Sequence, residues 1–209
     1  MRKFLLACVV GLWPVAASAH PHAWIDMQTQ IIVNNQNQIT GIHEHWLFDE
    51  FYTEFAKQEY DANHNGKLEH NELLKLGRDN LTRLKDYDYF TLFSVDGKPA
   101  AFKGFKDVDS ALVGNRVALD FTLEFTAPIP ATQKIFYRIY DPSYYIEMKH
   151  LKENPVSFSG GQCHHTLTIP KPDISKIGLA ATLDQLKNKP QAADNLGSFF
   201  AEKVDILCQ

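Results

Sequence analysis

The segment from Asn115 to Phe125 constrains the fold most, because apolar and small or polar residues alternate along it. The apolar positions are Val117, Leu119, Phe121, Leu123 and Phe125, and between them stand Ala118, Asp120, Thr122 and Glu124. A period of two is typical of a strand that buries one face and exposes the other. The sequence therefore predicts a sheet packed on an apolar core.

Less regular strand patterns occur along the rest of the chain, separated by turn signals such as Asp96-Gly97 and Gly114-Asn115. These patterns are at Trp24–Val33, Ile39–Phe48, Tyr89–Val95, Lys134–Tyr140, Tyr144–Met148, Thr166–Ile169 and Lys203–Leu207. Many short strands with frequent turns are typical of an antiparallel β-sandwich. We expect a mainly β (α+β) fold.

The stretch from Asp49 to Asp86 breaks the strand pattern. Apolar residues recur there at helical spacing, first as aromatic residues and then as leucines: Phe48, Phe51, Tyr52, Phe55, Leu73, Leu74, Leu81 and Leu84. The pattern predicts a helix-loop-helix inserted into the sandwich at about residues 49–86.

The loop between these helices fits the twelve-position EF-hand pattern from Asp61 to Glu72. Gly66 stands where that loop turns sharply, and oxygen ligands are available from Asp61, Asn63, Asn65, the backbone carbonyl of Lys67, Glu69 and Glu72. Asn in place of Asp at two ligand positions indicates modest affinity. We expect a structural calcium site, and a polar loop without an ion is the alternative.

The N-terminus has the features of a secretory signal peptide over residues 1–19. Arg2 and Lys3 precede an apolar run from Phe4 to Trp13, and Ala17-Ser18-Ala19 offers small residues for cleavage. The apolar run is too short to span a bilayer. We expect cleavage after Ala19, a periplasmic protein with no membrane span of its own, and one domain over residues 20–209.

Charge and cysteine content narrow the class of partner. The chain has 21 basic and 25 acidic residues and no basic stripe that would neutralise phosphates, so nucleic acid is not expected as a partner. Cys8 is lost with the signal peptide, and an oxidising compartment favours a disulfide between Cys163 and Cys208. Two separate thiols are the alternative.

Four histidines lie near the expected mature N-terminus and on the next predicted strand: His20, His22, His43 and His45. His43 and His45 are two residues apart, so their side chains point to the same face of a strand. His22 and Asp26 join that face if the connection near Asn34 has an even number of residues, whereas an odd number separates them. Imidazoles suit zinc, nickel, cobalt or copper. We expect a transition-metal site at the four histidines, and surface histidines without an ion are the alternative.

Several segments, taken in order, resemble a known family. They are His20-Pro21-His22-Ala23-Trp24-Ile25, Trp46 to Tyr52, the EF-hand-like loop, Tyr87 to Thr91, Tyr140 to Tyr145, Cys163, and Phe200 to Cys208. The chain resembles the bacterial periplasmic family called domain of unknown function 1007 over essentially its whole mature length. The resemblance implies an exported protein associated with nickel, cobalt or zinc transporters, and it implies no established reaction.

The leading expectation is a periplasmic accessory protein that binds a divalent metal and supplies it to a membrane transporter. No catalytic residue is expected, since a disulfide-bonded Cys163 cannot attack and Ser159-Gly160-Gly161 lacks the nucleophile-elbow pattern. The alternatives are a copper-dependent oxidase that uses His20 and a calcium-stabilised structural or interaction domain. We expect His150 to be structural or at the surface, and the tyrosines from Tyr137 to Tyr145 to be in the core.

Overall fold

The computed structural model describes residues 21–181 and 195–209. Its elements, in chain order, are β1 (Ala23–Val33), β2 (Gln38–Phe48), α1 (Glu50–Tyr60), α2 (His70–Leu84), a 3₁₀ segment (Lys85–Phe90), β3 (Thr91–Val95), β4 (Lys98–Pro99), β5 (Phe102–Val113), β6 (Arg116–Pro130), β7 (Ile135–Ile139), β8 (Ile146–His150), β9 (Val156–Phe158), β10 (Cys163–Thr168), α3 (Ile174–Ala181), a second 3₁₀ segment (Leu196–Phe199) and β11 (Lys203–Cys208).

The strands form two sheets. Sheet A has the order β5-β6-β2-β1-β8, with β9 also pairing with β1, and sheet B has the order β10-β11-β7-β3-β4. Every pair is antiparallel except β1 with β8 and β1 with β9. The mainly β (α+β) prediction is confirmed, but sheet A is mixed. The chain reaches β8 from β7 of the other sheet, so no hairpin sets the direction of β8 against β1.

The core lies between the two sheets. Leu119, Phe121 and Leu123 of β6 are almost fully buried, as the alternation predicts. The ring of Phe93 from sheet B packs on that of Phe125 from sheet A, with their centroids 4.6 Å apart. Burying each such side chain contributes roughly 1.5–3 kcal/mol to folding. The inward side chains of β6 therefore form a central part of the core between the two sheets.

The two helices between β2 and β3 pack on the core side of sheet A. Asp49 caps α1 by accepting a hydrogen bond from the Tyr52 N–H, and Glu69 and Glu72 form a capping box at the start of α2. Gly77 lets α2 approach the sheet, because a Cβ there would lie 2.7 Å from Leu119 Cδ1. The opposite face of sheet A is left to polar side chains.

A disulfide joins the last strand to its neighbour. Cys163 and Cys208 pair directly across β10 and β11, and their sulfur atoms are 2.03 Å apart. The predicted disulfide is confirmed, and it fits an exported protein, since such bonds persist in oxidising compartments. Among the helices of the described residues, none combines the length and apolar character needed to cross a membrane.

Glu44 places a carboxyl group inside the core. It is fully buried, and its two oxygens accept hydrogen bonds from Trp46 Nε1 at 2.9 Å and from the Thr91 hydroxyl at 2.8 Å. Burial raises the pKa of Glu44 to about 8, and the hydrogen bonds from Thr91 and Trp46 oppose that rise only in part. The folded protein therefore favours the neutral acid at this position.

A second buried polar group links the two sheets through His150. Its Nδ1 and backbone N–H both contact Glu202 Oε2, at 2.8 and 2.7 Å, and its Nε2 lies 3.3 Å from the Tyr137 hydroxyl. That hydroxyl is also hydrogen-bonded to Thr29. His150 is thus a buried structural residue. Tyr137 and Tyr144 are in the core as expected, whereas Tyr145 is half exposed.

We predict that stability falls as the pH rises because of Glu44. Its pKa is higher in the folded state than the ordinary 4.5 of the unfolded chain, so the folded state binds more protons between pH 4.5 and about 8. Each pH unit in that window lowers the free energy of unfolding by up to about 1.4 kcal/mol. Denaturant titrations of wild type and Glu44→Gln at several pH values should show this slope in the wild type and a smaller one in the variant.

The matched control is Glu59→Gln, which changes an exposed carboxylate of α1. It should leave the pH dependence of the wild type intact. Equal slopes for Glu44→Gln and Glu59→Gln would contradict the assignment of that slope to Glu44.

Candidate functional site

The register of β1 and β2 decides which predicted ligands share a face. The connection between these strands has an even number of residues, and Gln28 pairs with His45 while Gln30 pairs with His43. His43 and His45 therefore lie on the outer face of sheet A, together with Asp26 of β1. Of the two alternatives left open by the sequence, the structure adopts the even one.

Strand β6 adds an acidic residue to the two histidines. Asp120 pairs with His45 across β2 and β6, and its Oδ1 lies 2.9 Å from His45 Nδ1 and 3.5 Å from His43 Nε2. His43 Nδ1 is 3.1 Å from the Thr122 hydroxyl. Two imidazoles thus share one carboxylate, and we call these three residues the His43–Asp120–His45 cluster. About a third of each side chain is exposed.

The other predicted metal ligands lie elsewhere. Asp26 forms an ion pair with Arg116 at 2.8 Å, although it shares the face of the cluster. The ring of His22 stacks on that of Tyr145, with their centroids 4.6 Å apart. His22 precedes the start of β1. It lies six residues before Gln28, the residue that pairs with His45, which is roughly 20 Å along the strand. His20 lies outside the described residues.

Hydrogen bonding sets the charge of the cluster. Burial alone would raise the pKa of Asp120, but the hydrogen bonds from His43 and His45 overcome it and hold the pKa well below its usual range. The hydrogen bond with Asp120 raises the pKa of His45 above its ordinary 6.5, against the effect of burial. In this cluster the ionised Asp120 carboxylate therefore favours the protonated form of the His45 imidazole.

The cluster forms part of an open cleft of about 330 Å³ on sheet A. One wall is the turn after β8, where the Gln28 side chain donates hydrogen bonds to the carbonyls of Glu153 and Asn154. Ser157 also lines the cleft, but its hydroxyl donates to the Thr29 carbonyl and is not placed as a nucleophile activated by histidine. The arrangement can bind polar groups and exchange protons.

The loop expected to bind calcium is closed by its own hydrogen bonds. Asp61 accepts from the backbone N–H of Asn65 at 3.0 Å and of Gly66 at 2.7 Å. The side-chain amides of Asn63 and Asn65 donate to the two oxygens of Glu69, at 3.1 and 3.0 Å. These asparagines therefore direct N–H donors toward the carboxylate with which they would share an ion.

The last acidic residue of the loop is used in the same way. Glu72 accepts from the backbone N–H of Ala62 at 2.8 Å and of Glu69 at 2.9 Å, so one of its oxygens closes the loop and the other caps α2. Gly66 has the positive φ of 78° that the turn requires. The helix-loop-helix is present, but its oxygens stabilise the loop itself.

The prediction of calcium and a transition metal as cofactors is wrong for the described part of the chain. Within residues 21–181 and 195–209, no group of three or more His, Cys, Asp or Glu side chains is placed to hold a metal ion. The physical reasons are the internal hydrogen bonds of the loop and the separation of the histidines. This correction covers the calcium set of Asp61, Asn63, Asn65, Lys67, Glu69 and Glu72, and the described histidines His22, His43 and His45.

Sequence reasoning missed the acidic partner of the cluster. The position of Asp120 on the water-facing side of the clearest predicted strand could have marked it as a candidate site residue. The pairing of β6 with β2 could not be predicted, because 67 residues separate the two strands and contain three other strands and two helices. The burial of Glu44 was also missed, because only the histidines on each side of it were considered.

We predict that Asp120→Asn lowers the pKa of His45, because it removes the carboxylate that stabilises the imidazolium. A pH titration of the histidine ring resonances by NMR measures the change. An unchanged His45 titration would contradict the role assigned to Asp120.

Comparison with known proteins places this chain in a family. The profile of the family described as "Protein of unknown function (DUF1007)" matches residues 5–208. A protein of Haemophilus influenzae strain Rd, named "Uncharacterized protein", is 30% identical over 199 residues, which is 91% of this chain and 92% of the relative. Neither description gives an enzymatic activity. The chain belongs to the DUF1007 family.

Proposed function

We propose that this protein is an exported, non-catalytic accessory component of a membrane transport system, and that it contacts its membrane partner through the outer face of sheet A. The observation that carries the proposal is the His43–Asp120–His45 cluster, in which two imidazoles share one carboxylate on an open polar face. Histidine changes charge near neutral pH. The face can therefore change its charge under conditions that an exported protein meets.

The sign of the charge that the cluster gains at lower pH indicates the charge of the partner surface. At neutral pH the Asp120 carboxylate is ionised, because the two histidines hold its pKa far below neutrality. When both imidazoles are protonated, the cluster carries one net positive charge. An acidic segment of the partner then has a complementary surface, and electrostatic complementarity favours the correct encounter more than it adds affinity. We infer tighter docking at mildly acidic pH.

Export rests on two supports. The first is the N-terminal pattern, with Arg2 and Lys3 before an apolar run and the cleavage residues ending at Ala19. The second is the disulfide between Cys163 and Cys208, a bond typical of oxidising compartments. The periplasm is the oxidising compartment that the family resemblance implies.

Metal supply is not part of this proposal. The described residues offer no group of three or more side chains placed to hold a metal ion. The copper-oxidase alternative depends on His20, which lies outside the described residues, and it is not carried into the proposal. The alternative of an interaction domain is kept, without calcium, as the docking role proposed above.

Site-specific photocrosslinking in living cells tests the docking face. A photoreactive residue in place of Gln30, which lines the cleft beside His43, should crosslink to an integral membrane transport protein, more strongly at pH 6 than at pH 8. Asp120→Asn in the same background should reduce that difference. The matched control is a photoreactive residue at Glu59 of α1, which should give no such product.

Crosslinks from Gln30 only to water-soluble proteins, or equal products from Gln30 and Glu59, would overturn the docking proposal. A product that is independent of pH and of Asp120 would refute the role of the cluster while leaving the face as the contact.

Export itself predicts a defined mature end. N-terminal sequencing of the protein from the periplasmic fraction should begin at His20, because signal peptidase accepts the small residues at Ala17 and Ala19. The matched variant Ala19→Asp should leave an uncleaved precursor. Recovery of the unprocessed chain in the cytoplasm would contradict export.

A further inference from the structure

A second cleft, of about 240 Å³, brings together two of the segments that carry the family resemblance. One segment runs from Tyr87 to Leu92, and the other contributes Tyr140 and Pro142. The cleft is smaller than the roughly 300–1,000 Å³ of sites for drug-sized ligands. It lies apart from the cluster on sheet A and shares no lining residue with that cleft.

The backbone of the first segment has an unusual conformation. Asp88, Tyr89 and Phe90 follow one another with φ of 49°, 56° and 61°, in the left-handed region. Residues with a bulky side chain seldom adopt that region, and three in succession are rarer still. Such strain persists where surrounding structure enforces it, and it is concentrated at functional sites.

The buried ring of Tyr89 anchors the middle of this run. It packs edge-on against Phe102 and Phe105, with centroids 6.4 and 5.9 Å away. Its neighbours are thereby held at the surface: Tyr87 is 60% exposed, and its ring centroid lies 6.3 Å from that of Phe90. The run therefore presents aromatic rings at the cleft.

Asp88 is the one charged residue among the described residues that line this cleft. Asp88 contributes an exposed carboxylate to the lining. The guanidinium of Arg138 keeps its positive charge near Tyr140, but it lies outside the lining and donates to the Ser198 carbonyl. The Tyr140 hydroxyl donates to Asn195 Oδ1. The faces of aromatic rings carry negative electrostatic potential and attract cations. Rings from Tyr87, Phe90 and Tyr140 with one carboxylate therefore suit a positive group that has an apolar shell.

We propose that this cleft binds a small alkylammonium compound, with its ammonium group against the aromatic rings and beside Asp88. The volume suits a small ligand. The mixture of rings with a carboxylate distinguishes an alkylammonium group from a metal ion, which prefers several oxygen or nitrogen ligands. This proposal is independent of the docking face on sheet A.

The test compares choline with its uncharged isostere 3,3-dimethylbutan-1-ol by NMR titration of the mature protein, at constant ionic strength. Choline should shift the resonances of Tyr87 and Phe90 with a millimolar dissociation constant, and it should bind at least about fivefold more tightly than the isostere. Asp88→Asn should weaken choline binding by a similar factor. Asparagine tolerates the left-handed region, so this variant removes the charge and keeps the backbone.

Two further variants complete the design. Tyr87→Ala should abolish choline binding, while Phe51→Ala, which removes an exposed aromatic ring on α1, should not change it. Equal binding of choline and the isostere would overturn the proposal, and so would unchanged affinity in a folded Asp88→Asn protein. The backbone amide spectrum of each variant verifies that it is folded.

Discussion

The pairing of β2 with β6 is the constraint on which the rest of the structure depends. It sets Trp46 opposite Leu119 on the core side and His45 opposite Asp120 on the outer side. A slip of one residue would move the whole set of apolar side chains to the wrong face. The apolar face therefore fixes the register, and the register in turn places the two histidines on one carboxylate.

The same strand favours protonated groups on both faces, but with different charge. Glu44 points into the core, where burial raises its pKa to about 8 and favours the neutral acid. His45, the next residue, points outward, where Asp120 favours the charged imidazolium. Both preferences keep protons bound as the pH rises toward neutrality. Because both pKa values are raised in the folded state, each group contributes more to stability at mildly acidic pH than above it.

The helix-loop-helix shows how far a motif can be read. The residue types of the loop match the EF-hand pattern, and the turn at Gly66 has the required backbone. Pattern matching cannot say whether an asparagine presents its oxygen or its N–H group, and in this structure Asn63 and Asn65 donate to Glu69. The oxygens of Asp61 and Glu72 satisfy backbone N–H groups. The same residues that predicted calcium thus stabilise the loop.

The sequence by itself determined what depends on neighbours along the chain: the core face of β6 from alternation, the helix pair from its spacing, and the disulfide from the two remaining cysteines. It did not reveal β5, because that strand lies mostly exposed and two irregularities interrupt its register. Only the tertiary structure decided that Asp120 meets His43 and His45, and that the segment at Tyr87 meets Tyr140. Contacts between distant segments depend on strand order, and local residue patterns carry no record of that order.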